Sequence, residues 1–104
     1  MSRCEKKVIR HSFRGKRFKV CLDETMKNYG ECSSPLAGVR EIKIRRGQSS
    51  RAELDSIIHE SLHASFWAKD ESIVKQTAND ISRLLWKLGY RKGDSLNGHL
   101  YKQI

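Results

Sequence analysis

The sequence predicts an α+β domain in which a short antiparallel or mixed β-sheet of about three strands packs on a two-helix hairpin. Two observations support this class. Apolar and charged residues alternate in two segments of the first half, at 8–22 and 40–45, as they do in half-buried strands. In the second half, apolar residues recur at helical spacing in two segments that a short connection joins. The strands therefore precede the helices.

The first predicted element is a β-hairpin between Val8 and Leu22. Alternation continues on both sides of Arg14-Gly15-Lys16, which marks the turn. On the second strand, Phe18 and Val20 share a face with Leu22, and charged residues occupy most of the other face. We therefore expect one face of this hairpin to contribute to the core.

A third strand is predicted at Arg40–Arg45, where Ile42 and Ile44 share a face and Gly47 ends the run. Its other face is charged, as that of an exposed or edge strand would be. The preceding stretch Gly30–Pro35 is polar and contains the only proline of the chain. This composition predicts a loop.

The first predicted helix begins at Ser50, because Ser50 and Glu53 have the spacing of a capping box. The helix is expected to end near Phe66. Several residues recur on one side of it and predict its inward stripe, namely Leu54, Ile57, Ile58, Ser61, Leu62 and Ser65.

The second predicted helix has Asp70 as its N-cap, and Gly89 provides its C-terminal stop. The connection around Trp67 and Lys69 is about four residues long, so the two helices are expected to pack antiparallel. The tail 90–104 shows no clear period and is expected to be partly ordered. The inward stripe of the second helix is predicted as Val74, Thr77, Ile81, Leu84 and Leu88, with Ile73 and Leu85 widening it.

The length of 104 residues fits a single domain that spans 1–104. No apolar run is long enough to cross a bilayer, and no apolar signal core follows the charged start, so we expect neither a membrane-spanning nor a secreted protein. The three cysteines, at positions 4, 21 and 32, indicate no disulfide framework. We therefore expect a reducing, cytoplasmic location.

The candidate metal-binding and catalytic residues lie in the motif His59-Glu60-Ser61-Leu62-His63. Residues four apart lie on one face of a helix, so both imidazoles can bind one metal ion. Zinc binds neutral imidazole readily, and a catalytic zinc site has three protein ligands and an open position. Glu60 lies about 100° round the helix from His59, where it can serve as the general base. The motif therefore predicts Zn²⁺ as the cofactor.

A third zinc ligand is expected from the second helix, where Glu71, Asp70 and Asp80 compete. After a short turn, the first residues of the second helix lie level with His63. Glu71 is long enough to reach back, whereas Asp70 is shorter and suits the N-cap. Asp80 lies roughly 13 Å further along the helix at 1.5 Å per residue. The expected order is Glu71, then Asp70, then Asp80.

The segment around this motif resembles small, largely uncharacterised bacteriophage-type proteins of the zincin metalloprotease class. The resemblance implies a minimal zincin fold, in which an edge strand borders the cleft and a second helix closes it. It also implies a host-cytoplasm location if the protein is phage-encoded. The third histidine of metzincins is missing after His63, which favours a glutamate ligand. The resemblance is carried by Glu53–Ala64, Asp70–Val74, Ala78–Ile81 and Leu84–Arg91, together with Tyr29–Cys32 and Glu41–Ile44.

Two functions are open at this stage. The first is a zinc-dependent metallopeptidase that acts on a protein or peptide substrate, with Glu41–Arg45 binding extended peptide as an added strand. The alternative is a basic nucleic-acid-associated binding protein with a structural or vestigial zinc site. The net charge of +9 supports non-specific contact with nucleic acid. The cations expected to form one positive face are Arg14, Lys16, Arg17, Lys19, Arg40, Lys43, Arg45, Arg46 and Arg51. The sequence indicates no oligomeric state.

Overall fold

A computed structural model describes residues 7–92 of the chain. Within this range lie strands β1 (Lys7–Phe13), β2 (Lys16–Asp23), β3 (Gly30–Cys32) and β4 (Glu41–Arg45), followed by helices α1 (Ser50–Ser65) and α2 (Glu71–Lys87). The α+β class and the order of strands before helices are confirmed, with four strands instead of about three. Neither helix combines the length and the apolarity that crossing a bilayer requires. Most of the predicted tail, from 93 onward, lies outside the described residues.

The sheet is mixed and has the strand order β1-β2-β4-β3. β1 pairs with β2 antiparallel, β2 pairs with β4 parallel, and β3 pairs with β4 antiparallel. β4 therefore lies inside the sheet, which corrects the expectation of an edge strand at Arg40–Arg45. β3 was also missed, since it lies in the stretch Gly30–Pro35 that was predicted to be a loop.

The predicted hairpin is confirmed, with β1 and β2 joined by a two-residue turn at Arg14 and Gly15. Both residues have positive φ, at 51° and 81°. This conformation matches the right-handed twist of the paired strands, and glycine adopts it without a steric penalty. The turn sets the register that places Phe13 opposite Lys16.

The core lies between the inner face of the sheet and α1. It is built around Phe18, Ile42 and Ile44, which cluster with Ala64 of α1. α2 packs against α1 and against none of the four described strands. The domain is therefore layered as sheet, then α1, then α2, and α1 has a neighbour on two sides.

The inward stripe predicted for α1 is wrong, because the buried residues of this helix are Glu53, Ser56, Glu60 and Ala64. Ile57 of the predicted stripe is 40% exposed. Small and polar side chains face the sheet because β3 and β4 approach α1 closely there. The larger apolar residues Leu54 and Ile57 line a cavity that inner-face residues of the sheet also line.

The cap of α1 also differs from the prediction. Ser49, not Ser50, is the N-cap, and its hydroxyl oxygen accepts a hydrogen bond from the backbone N–H of Ala52 at 3.2 Å. Glu53 is buried and forms a salt bridge with Lys92 at 3.0 Å instead of completing a capping box. The helix ends with Phe66 as its C-cap, as expected.

The ends of α2 are as predicted. Asp70 is the N-cap and accepts from the Ser72 backbone N–H at 3.4 Å and from the Ser72 hydroxyl at 3.0 Å. Gly89 follows the helix with φ of 96°, which favours glycine. The inward stripe is only partly right, since Val74 is buried but Leu84 is 56% exposed.

The cysteines of the described range differ in state. Cys21 is buried in β2 and is disulfide-bonded, whereas Cys32 in β3 is a free thiol. Cys4 lies outside the described residues. Cysteine usage therefore provides no argument for a reducing compartment.

Candidate metal centre

Three side chains converge where α1 ends and α2 begins. His59 and His63 lie one turn apart on α1, and their Nε2 atoms are 3.2 Å apart. Glu71, the first residue of α2, reaches back across the short connection. One carboxylate oxygen lies 3.1 Å from Nε2 of His59, and the other lies 2.8 Å from Nε2 of His63. The structure therefore brings together the three residues that were predicted as metal ligands.

The donor set suits zinc in both chemistry and spacing. One ligand atom from each of the three residues lies within 4.8 Å of the others. Ligand atoms about 2.0–2.1 Å from a tetrahedral zinc are roughly 3.3 Å apart, close to the separations seen here. Two imidazoles and one carboxylate are also a ligand set found in catalytic zinc sites. The residues present therefore fit a zinc ion.

The cluster is accessible from one side. The imidazole side chains of His59 and His63 are 20% and 18% exposed, whereas Glu71 is 62% exposed. Over the described range, the group contains these three ligands and no fourth. A tetrahedral ion held by them would keep one position open to water or substrate, as catalytic zinc sites do.

Glu60 lies beside the cluster on the side of α1 that faces the sheet. It is 7% exposed and packs against Gly30 of β3. Burial, reinforced by the nearby charges of Glu71 and Glu31, raises the pKa of Glu60 to about 7. A carboxyl group with this pKa exchanges a proton readily near neutral pH, which is the property that a general base requires.

The two competing carboxylates lie apart from the cluster. Asp70 is engaged in the N-cap of α2 through Ser72. Asp80 is exposed and accepts a hydrogen bond from Nε2 of Gln76 at 3.3 Å. Neither is a member of the His59, His63 and Glu71 group. The geometry thus brings Glu71, and neither Asp70 nor Asp80, to the two histidines.

β3 contributes two neighbours of the site that the sequence did not reveal. A Cβ atom at Gly30 would lie 2.9 Å from Glu60, so only glycine fits there without a shift. The Cys32 thiol has its pKa raised to about 12 by burial and by the Glu60 charge. It therefore stays protonated at neutral pH and is a poor zinc ligand. The only feature of the sequence that could have indicated this contact is Gly30, a glycine in a polar stretch.

An aromatic side chain lies beside the cluster. Trp67 is 46% exposed, and its ring centroid lies 6.0 Å from that of His63. It belongs to the connection between α1 and α2. The site therefore has a partly exposed aromatic neighbour.

Comparison with models of known protein families finds no match to this chain. Neither a curated protein nor a solved structure is found to be similar to it.

Proposed function

We propose that the protein is a zinc-dependent metallopeptidase with a minimal zincin-like fold. The observation that carries the proposal is the convergence of His59, His63 and Glu71, with a buried carboxyl of raised pKa, Glu60, next to them. A structural zinc site needs ligands but no neighbouring base. The presence of both features favours hydrolysis.

Each of the four residues has a distinct role in this proposal. His59, His63 and Glu71 hold the ion. Zinc, when bound, acidifies a water molecule and polarises the carbonyl of the peptide bond. Glu60 accepts the proton of the attacking water and can return it to the leaving amine. Its pKa of about 7 permits both transfers near neutral pH.

β3 offers an edge along which an extended peptide can bind. Tyr29 and Ser33 hydrogen-bond to β4 through their backbone groups, at 2.9 Å each. Because backbone groups alternate in an antiparallel pair, those of Gly30 and Cys32 point away from β4. A substrate strand added there would run next to Glu60. The substrate-binding role assigned to β4 from the sequence is untenable, since both edges of β4 are paired.

The alternative of a structural or vestigial zinc is less well supported. Structural zinc is normally closed by four protein ligands, and the group in the described range has three. Burial of Glu60 raises its pKa, so its ionised form costs stability, and a purely structural site has no need of such a group. Both observations favour a working catalytic site.

The proposal is tested with the variant Glu60→Gln, assayed on casein with and without a zinc chelator. We expect the wild-type protein to cleave casein only when zinc is present, and the variant to bind zinc but to be inactive. Asp80→Asn, an exposed carboxylate apart from the cluster, is the matched control and should keep full activity. Normal turnover by the zinc-loaded Glu60→Gln protein would overturn the assigned mechanism.

A further inference from the structure

We propose that the outer face of the sheet, at the end where β2 and β4 begin, binds the phosphate backbone of nucleic acid. The surface is formed by Arg10, Arg17 and Lys19, called here the basic patch. It lies on the opposite side of the sheet from α1. The proposal goes beyond the peptidase function and does not depend on it.

Register and alternation place these side chains on one face. Phe18 points inward to the core, so its neighbours Arg17 and Lys19 point outward. Arg10 on β1 lies directly opposite Lys19 and therefore shares its face. Three cations therefore lie together on the outer face of two neighbouring strands. Arg40 lies two residues before the inward-facing Ile42, so it is not part of the basic patch.

The positive charge of the patch is only partly neutralised. The carboxylate paired with it in the sheet is Glu41, which lies 3.8 Å from Nζ of Lys19. Arg10 and Arg17 are exposed. Like charges directly opposite each other on antiparallel strands are destabilising, as Arg10 and Lys19 are here. A bound polyanion would relieve this repulsion.

The structure divides the single positive face that the sequence suggested. Arg14 faces the helix side, where its Nη1 donates to the carbonyl of Ser65 at 3.2 Å and its guanidinium stacks on Phe66 at 5.0 Å. Lys16 lies opposite Phe13, on the inner face of the sheet. Arg10, Arg17 and Lys19 of the basic patch share the outer face near the end of the sheet where β2 begins.

The composition of the patch indicates the type of partner. Arginine guanidinium groups bind phosphate oxygens in a bidentate manner, and two of the three residues are arginines. The patch contains no aromatic ring on which a base could stack and no apolar side chain that could enter a bilayer. We therefore expect contact with the nucleic-acid backbone that is indifferent to base sequence.

The test compares two double variants that each remove two positive charges. Arg10→Ala/Arg17→Ala removes both arginines of the basic patch, whereas Lys75→Ala/Lys87→Ala removes two exposed lysines of α2. Binding to a fluorescently labelled DNA duplex of mixed sequence is measured by anisotropy between about 50 and 200 mM salt. Circular dichroism and melting curves establish that both variants are folded.

We expect wild-type binding that weakens steeply with salt. The patch variant should bind about tenfold more weakly or worse, with a log–log salt slope shallower by about 2, whereas the α2 variant should stay within about twofold of wild type. Equal losses in both variants, or no wild-type binding at about 50 mM salt, would overturn the proposal.

Two further arms separate this proposal from others. Vesicles of phosphatidylserine and phosphatidylcholine test a membrane partner, and tighter patch-dependent binding to them than to DNA would reject nucleic acid as the partner. Protein treated with a zinc chelator should bind DNA as well as untreated protein, because the patch and His63 lie on opposite sides of the sheet. A loss of DNA binding on chelation would also contradict the proposed surface, whatever the outcome of the peptidase assay.

Discussion

The side chain of Glu60 occupies the space that a side chain at position 30 would need. A Cβ atom at Gly30 would lie 2.9 Å from both Cγ and Oε2 of Glu60. β3 and α1 are therefore in close contact at the residue proposed as the general base. The contact also explains why Glu60 is buried although it is charged at high pH.

Gly30→Ala should displace the Glu60 carboxylate, because the added methyl group meets its Cγ and Oε2. Displacement of a catalytic group by about 1 Å costs up to roughly a hundredfold in rate, so we expect kcat to fall about ten- to a hundredfold. Zinc affinity should change little, because Glu60 is not a ligand. Steady-state peptidase kinetics and zinc titration measure both quantities.

Gly38→Ala is the matched control, because a Cβ atom at Gly38 meets nothing within 4 Å. It should leave kcat unchanged. If Gly30→Ala retained the wild-type kcat, the position of Glu60 against β3 would have no part in catalysis.

Burial of Glu60 should make the metal-free protein less stable as pH rises. The pKa of Glu60 is about 7 in the folded protein, against 4.5 for an unperturbed glutamate. Between pH 4.5 and about pH 7, the folded protein therefore keeps a proton on Glu60 that the unfolded chain has lost. Stability therefore declines from about pH 4.5 to about pH 7, and the full cost remains above that. Glu60→Gln removes this cost, on the order of 3 kcal/mol.

Melting temperatures of chelator-treated protein at about pH 4 and pH 8 check this expectation. Glu60→Gln should melt higher than wild type at pH 8, with little difference at pH 4. Asp80→Asn, an exposed carboxylate, should match wild type at both values. If Glu60→Gln stabilised the protein as much at about pH 4 as at about pH 8, burial of the ionised carboxylate would not be the cause of the raised pKa.

The predicted part of the fold consists of elements whose signals are local. The hairpin turn at Arg14 and Gly15 and the α2 cap at Asp70 each depend on a few adjacent residues, and both are confirmed. β3 has only three residues, and its inner face carries Gly30 beside Glu60 and Cys32 at the margin of the core, with no large apolar side chain. No apolar alternation therefore indicated a strand there.

The errors at β4 and α1 have a common physical origin. Charge on Lys43 shows that one face of β4 is polar, but the edge of a strand is defined by its backbone partners, which side-chain chemistry does not report. In α1, the apolar side chains indicated a stripe, yet the face against the sheet carries Glu53 and Glu60. The backbones of α1 and the sheet approach closely there, and the buried positions hold residues that a search for an apolar stripe does not find.

The residues of the candidate site were predicted from the sequence more completely than the residues of the core around it. The spacing of His59 and His63 fixes their shared face on any helix, and the short connection places Glu71 opposite them. These relationships depend on helix geometry and on loop length. The contact between Glu60 and Gly30 depends on tertiary packing, which the sequence does not encode locally.

Alanine substitutions at the three acidic candidates should separate ligand from cap. Glu71→Ala removes a carboxylate that contacts both imidazoles and should lose most of the zinc affinity. Asp70→Ala should keep zinc but lose about 1 kcal/mol of stability with the N-cap. Asp80→Ala should change neither quantity appreciably. Zinc titration with a competing chelator and thermal melts provide the two measurements, and the reverse order of zinc affinities would overturn the ligand assignment.

Zinc should stabilise the protein by joining α2 to α1. Among the described elements, α2 packs only on α1, so its attachment depends on that one interface. An ion held by His59, His63 and Glu71 adds a second link at the start of α2. A ligand at a thousandfold excess over its Kd stabilises the folded state by about 4 kcal/mol. We therefore expect a marked rise in Tm with zinc and slower amide exchange in the first turns of α2.

His59→Ala should abolish most of this rise, because it removes one of the three ligands. His11→Ala is the matched control, since His11 is exposed on β1 and packs against Phe13, apart from the cluster. It should keep the full response to zinc. Magnesium should give no rise with either protein, because it prefers oxygen ligands in octahedral geometry. An equal response of both variants to zinc would mean that the ion binds elsewhere, and the link between the helices would then be wrong.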